Sequence, residues 1–213
     1  MLRKIFDLDN PLMRGLSRVT DIVVLNILFL LCCIPVITAG ASAAALYTMT
    51  LKMVRNEEPP VVKGFFRAFI ENLKQGTLFG VLFTLAAAAI AVNFVLFGNL
   101  RYGVFQAVKV LSIAVGIVIF SLSLYIFPMI ARFKMGGKEI FRNALLMSVA
   151  YLPKTLAMLA MYIPVLVIMF WSEMTMFVML SVYVVFGFAL MAFLKSFILR
   201  SIFSKYEKEV HNG

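Results

Sequence analysis

Residues 22–51 run for 30 positions without a charged side chain, and further uncharged runs follow at 75–100, 110–131, 155–172 and 174–194. A charge at the centre of a spanning helix costs about 2.5 to 3.5 kcal/mol, so runs of this length mark where hydrocarbon begins and ends. The chain is expected to live in a bilayer. With 63% hydrophobic and 14% charged residues over 213 positions, it falls far outside the usage of soluble domains. The first 21 residues carry seven charges, and no short apolar core followed by a small-residue cleavage site comes after them. The first helix is therefore expected to be kept rather than removed as a leader.

The net charge of +10 is held almost wholly between the apolar runs, where Lys and Arg would meet anionic headgroups of a cytoplasmic leaflet. Basic patches interleaved with base-stacking aromatics are missing, which argues against nucleic acid as a partner. Of the 20 Lys and Arg, 14 fall in 52–74, 132–154 and 195–213, four in 1–21 and two in 101–109. If the first run crosses twice, 18 lie on the cytoplasmic side against two; if it crosses once, the split is 14 to 6. Two crossings satisfy the positive-inside rule better.

Length points the same way. Thirty residues make about 45 Å of helix against about 30 Å of hydrocarbon. Pro35, which lacks a donor, stands five residues before Gly40, which tolerates a turn, so the run is expected to fold as a hairpin. Its arms would be 15–34 and 41–55, the second about 22 Å long, so a re-entrant half-helix is the alternative to a full crossing. The expected fold is an all-α polytopic membrane bundle of six segments, at about 15–34, 41–55, 75–100, 110–131, 155–172 and 174–194. Both termini would lie inside.

Two cytoplasmic stretches, about 61–74 and 138–150, are expected to form amphipathic helices in the headgroup plane. Lys63, Phe66 and Arg67 recur 75 residues later as Lys138, Phe141 and Arg142. Phe65, Phe66, Phe69, Ile70 and Leu73 stand at helical spacing, with rings to embed and cations to face phosphate. Pro59-Pro60 would start the first helix and Gly136-Gly137 the second. Trp171 and Tyr102 are placed at the outer interface.

Candidate sites are few. Arg18 and Asp21 lie three apart and can pair near the inner end of the first helix. Asn26 and Asn93 are amides that need partners in hydrocarbon, which interhelical hydrogen bonds would supply. Thr38, Gly40, Ser42 and Ala43 to Ala45 form the densest small-residue patch, with Gly76 and Gly80 a second, and both suit close helix packing. Met158, Met161, Met174, Met176 and Met179 offer soft sulfur for Cu(I), but no Cys or His stands near to complete a metal site. Adjacent Cys32 and Cys33 read as small apolar side chains. The single histidine, His211, is C-terminal, and Gly-rich phosphate loops are absent, so neither an enzyme nor a cofactor is expected.

Asp21, Asn26, Leu31 and Cys32, then Pro35 to Ala41, Ala45-Leu46-Tyr47, Phe65-Phe66-Arg67-Ala68-Phe69, Asn72-Leu73-Lys74-Gln75 and Ala131-Arg132-Phe133, together resemble the YesL family of bacterial integral membrane proteins. The similarity covers most of the chain and is most specific in 21–75. The resemblance implies a bacterial cytoplasmic membrane protein without an established activity, whose genes often neighbour carbohydrate ABC importers. It singles out Asp21, Asn26, Pro35, Thr38, Gly40, Tyr47, Phe66, Arg67, Asn72 and Arg132 as functional or packing positions, and supplies no catalytic residue. The leading expectation is an accessory subunit of oligosaccharide import, with ABC transporter subunits and anionic lipid as partners and a homo-oligomer left open. The alternative is an independent small-solute transporter or channel whose neutral path is lined by Asn26, Asn93, Thr38 and Ser42.

Overall fold

The computed structural model describes residues 11–57, 60–97 and 103–211, and they are helical almost throughout. Helix α1 (Pro11–Cys33) stops just ahead of Pro35, whose ring disfavours the α conformation at Ile34 and whose nitrogen has no proton to give. A 3₁₀ turn, Val36–Thr38, leads into α2 (Ala39–Val54). Thr38 Oγ1 donates to the Cys32 and Pro35 carbonyls at 2.7 and 2.9 Å, which satisfies acceptors that the end of α1 leaves open. The arms run antiparallel: Ser42 Oγ donates to Phe29 O at 2.9 Å near the tip, and Arg18 reaches Asn56 Oδ1 at 2.6 Å at the base. Asn56, at φ 59°, turns the chain out of α2.

Helix α3 (Val61–Glu71) follows Pro60 and breaks at Asn72 into α4 (Leu73–Phe97). Then come α5 (Gly103–Arg132), α6 (Gly137–Ala150), α7 (Leu152–Ala160) and α8 (Ile163–Met169), the last two separated by a bend ahead of Pro164. Finally α9 (Glu173–Val182) passes through a π-helical stretch, Tyr183–Gly187, into α10 (Phe188–His211). Five stretches are long and apolar enough to cross a membrane: Gly15–Cys33, Leu73–Leu96, Gly103–Arg132, Leu152–Met169 and Glu173–Lys205. The remaining expected segment is α2, whose 16 residues rise only about 24 Å.

That short helix is the centre of the protein. It packs against α1, α3, α4, α5 and α10, and Ala41, Ala44, Ala45, Met49 and Thr50 have no exposed surface. The two small-residue faces meet. A Cβ on Gly40 would overlap the Gly76 carbonyl and lie 2.6 Å from Gly80 Cα, so two backbones touch here and only glycine fits. Gly76 and Gly80 stand two and six residues past Lys74, about 3 and 9 Å along α4. The hairpin tip therefore packs within two turns of the Lys74 end of that helix.

The buried residues keep to the same half of the bundle. Among the described residues, those of α5 begin at Leu122, in α4 none follows Gly80, and α8 and α9 have none. In the opposite half, Val95, Val110, Phe170 and Phe177 are 81%, 67%, 79% and 64% exposed, a surface that suits hydrocarbon and not water. Trp171, 79% exposed, stands in the turn between α8 and α9.

The 75-residue spacing extends to burial: Phe65 and Ile140 are fully buried, whereas Phe66 and Phe141 are 44% and 46% exposed. This corrects the simple interfacial picture of α3, because Phe65 is a core anchor, and only Val62, Phe66 and Ile70 form its outward apolar stripe, which Leu73 continues at the start of α4. A helix clamped to the core on one face can turn its other apolar face to lipid. The helix starts at 61 and 137 agree with Pro60 and Gly136, while Pro59 and Tyr102 lie outside the described residues.

Candidate functional site

Asn26 holds the hairpin to the last long helix. Its Nδ2 donates to Tyr183 O and Val184 O at 3.0 and 2.8 Å, and its Oδ1 accepts from Ala189 N at 3.0 Å. A π stretch widens the helix and displaces its backbone bonds, which creates polar groups in need of partners. One fully buried amide supplies three bonds there. Gly187 completes the fit, since a Cβ at that position would sit 2.7 Å from the Tyr183 ring. Phe29 meets Phe188 beside it, with ring centroids 5.4 Å apart.

A polar seam then follows the contact between α2 and α10. Lys195, 5% exposed, donates to Tyr162 Oη at 2.6 Å, with the rings of Tyr162 and Tyr47 at 4.9 and 5.6 Å from its ammonium. Two ring faces and a phenol oxygen stabilise a cation that burial would otherwise penalise, each desolvated cation–π contact contributing about 2 kcal/mol. From the next residue of α10, Ser196 Oγ lies 2.9 Å from Thr50 Oγ1. Arg200 Nη1 donates to Val54 O at 2.8 Å, a cation at the carbonyl end of α2, where the helix dipole favours it. Arg55 bonds Leu51 O through Nε and pairs with Glu57, each at 3.3 Å. Arg132, at the end of α5, lines the same cavity as Arg55 and Arg200.

Of the residues singled out from sequence, Tyr47 and Arg132 thus lie on this seam, and Pro35, Thr38 and Gly40 build the tip of the hairpin. Asp21 is half-buried at the base of α1. Phe66, Arg67 and Asn72 stay with α3: Arg67 pairs with Glu71 at 2.9 Å on the surface, and Asn72 Nδ2 donates to Ala68 O at 2.8 Å. The residues assigned to a neutral path do not converge on one. Asn26, Ser42 and Thr38 each bond backbone groups of the hairpin and its contacts, and Asn93 Oδ1 is buried without a hydrogen-bond partner among the described residues. This corrects the expectation of an interhelical bond for that oxygen. The methionines do not gather either, since Met158 is fully buried and Met174 is 78% exposed.

Lys195, Tyr162, Arg55 and Arg200 were missed from sequence. A signal existed, because Ser196, Arg200 and Ser204 recur at four-residue spacing on one face of a helix. Charge counting treats such cations as loop markers, and so hides that they face protein.

Residues 22–94, about a third of the chain, match a family described as "Protein of unknown function, DUF624". The stretch runs from the body of α1 through the hairpin and α3 to near the end of α4, so it includes Asn26, the Pro35 turn and all three packed glycines. No curated protein matches the chain, and no solved structure does. What the sequence is similar to is thus a family of uncharacterised proteins, over the part that builds the buried centre.

Proposed function

We propose that the chain is a YesL-like accessory subunit of the bacterial cytoplasmic membrane, serving oligosaccharide ABC import and performing no chemistry of its own. The observation that carries this reading is the pair of helices α3 and α6. Each is clamped to the core through one face, by Phe65 and Ala68 or by Ile140, Ala144 and Met147, and each presents an apolar stripe outward. A partner's groove accepts such a stripe as readily as lipid does. The gene neighbourhood that the YesL resemblance implies supports a permease or its ATPase as that partner.

In this reading both termini are cytoplasmic and the α1–α2 hairpin is re-entrant. Support comes from the packing of its tip against Gly76 and Gly80, close to Lys74, and from the confinement of buried side chains to that half. The Pro35 turn has α4 on one side only, with Ile34, Val36 and Ile37 turned outward, and at membrane depth its backbone depends on the hydrogen bonds that Thr38 makes to the Cys32 and Pro35 carbonyls.

Crosslinking in intact cells, followed by purification in mild detergent, should recover permease or ATPase subunits; recovery of this chain alone in several detergents would remove the importer assignment. With Cys32 and Cys33 replaced by Ser, a Val36→Cys variant should resist a membrane-impermeant maleimide added outside. Labelling from outside would overturn the re-entrant topology.

A further inference from the structure

The Arg200 end of the α2–α10 seam opens into a cavity of about 90 Å³ lined by Leu51, Arg55, Arg132, Arg200, Phe203 and Ser204. Its three guanidinium groups come from the end of α2, the end of α5 and the middle of α10, so the fold brings together cations 77 and 68 positions apart in sequence. Among the described residues, no carboxylate lines it. Glu57 pairs with Arg55 from beside the cavity, at 3.3 Å. Backbone carbonyls set the direction of two of the cations, Leu51 O for Arg55 and Val54 O for Arg200, so these forks are aimed before any ligand arrives. Planar guanidinium forks match the paired oxygens of a phosphate, and the space is several times what one water needs. The walls add a second character: Leu51 and Phe203 are apolar, and Phe203 is held edge-on to Phe133 at 5.3 Å.

We propose that this cavity binds a phosphate group, carried either by an anionic phospholipid or by a soluble phosphate compound. Basic pockets between membrane helices near the headgroup level recognise lipid phosphates in this way, and apolar walls beside the cations accommodate the glyceryl end of such a lipid. The site is independent of the importer assignment.

The test uses the full chain in nanodiscs. Native mass spectrometry in phosphatidylcholine doped with phosphatidylglycerol counts retained anionic lipid, and equilibrium dialysis of radiolabelled inorganic phosphate in pure phosphatidylcholine tests the soluble source. The wild type should retain one phosphatidylglycerol or bind phosphate. The double variant Arg132→Gln/Arg200→Gln should lose about tenfold or more of that affinity, whereas Lys63→Gln, on α3 away from the cavity, should not. Lipid retention without phosphate binding assigns a lipid site, and phosphate binding assigns a soluble one. Should the glutamine variant not give a monodisperse helical protein, Arg132→Lys/Arg200→Lys keeps the charge while losing the fork, and reduced retention is expected there too. Neither ligand held by the wild type, or equal retention by wild type and folded variants, would overturn the proposal.

Discussion

The two halves of this bundle are built from the same apolar residue types and yet differ in kind. Around the α1–α2 hairpin, Leu25, Met49, Phe65, Tyr125, Met129 and Leu199 have no exposed surface, and small residues bring backbones into contact. In the other half, among the described residues, α4 beyond Gly80, α5 before Leu122, and α8 and α9 hold no fully buried residue. Hydrophobicity does not separate them, because in a membrane hydrocarbon is as good a solvent for leucine as another leucine is. What separates them is polar complementarity and backbone proximity. Asn26, Ser42, Thr50, Lys195 and Ser196 are all buried, and all have partners in the hairpin half.

The comparison is broken most directly at its closest contact. Gly40→Leu should force α2 away from α4 and abolish monodisperse protein on size-exclusion chromatography, while Gly116→Leu, in the other half with only the end of Ile90 near it, should purify normally. A Gly40→Leu protein that behaves like wild type would deny the close packing.

Next in size, Phe65→Ala should cost about 3 to 5 kcal/mol of unfolding free energy in detergent, whereas Phe66→Ala, its half-exposed neighbour, should stay within about 0.5 kcal/mol. Denaturant titration followed by circular dichroism reads both, and equal losses would refute the two-faced description of α3. Asn26→Leu removes three hydrogen bonds and strands the carbonyls of the π stretch; about 1 to 2 kcal/mol is expected, since membrane hydrogen bonds average about 0.6 kcal/mol each. A hydrogen-exchange readout sharpens this further, as protection should fall first at 183–189. The smallest effect belongs to the other half: Val95→Ala should change stability by less than about 0.5 kcal/mol, and a larger loss would mean that this exposed position packs against protein.

Much of the architecture was legible because membrane insertion is governed by local sums of transfer free energy. The stop ahead of Pro35 and the starts after Pro60 and Gly136 were legible for the same reason, since a missing donor or a missing Cβ acts within a residue or two of itself. The meeting of the Thr38–Ala45 patch with Gly76 and Gly80 was half legible: both faces announced close packing, but neither named its partner. Phe65 and Phe66 were not separable, being adjacent rings on a helix with apolar residues on two sides. Lys195 was misread as a boundary marker because its compensation comes from Tyr47 and Tyr162, 148 and 33 positions away.

The sequence by itself determined that the chain enters a bilayer, roughly where each apolar segment begins and ends, and which small residues permit close approach. Only the tertiary structure decided that the shortest segment occupies the centre, that Asn26 grips the π stretch, and that Arg55, Arg132 and Arg200 share one cavity. The physical reason lies in the solvent: lipid rewards any apolar face equally, so the choice of which faces meet rests on hydrogen bonds and backbone contacts between residues far apart along the chain.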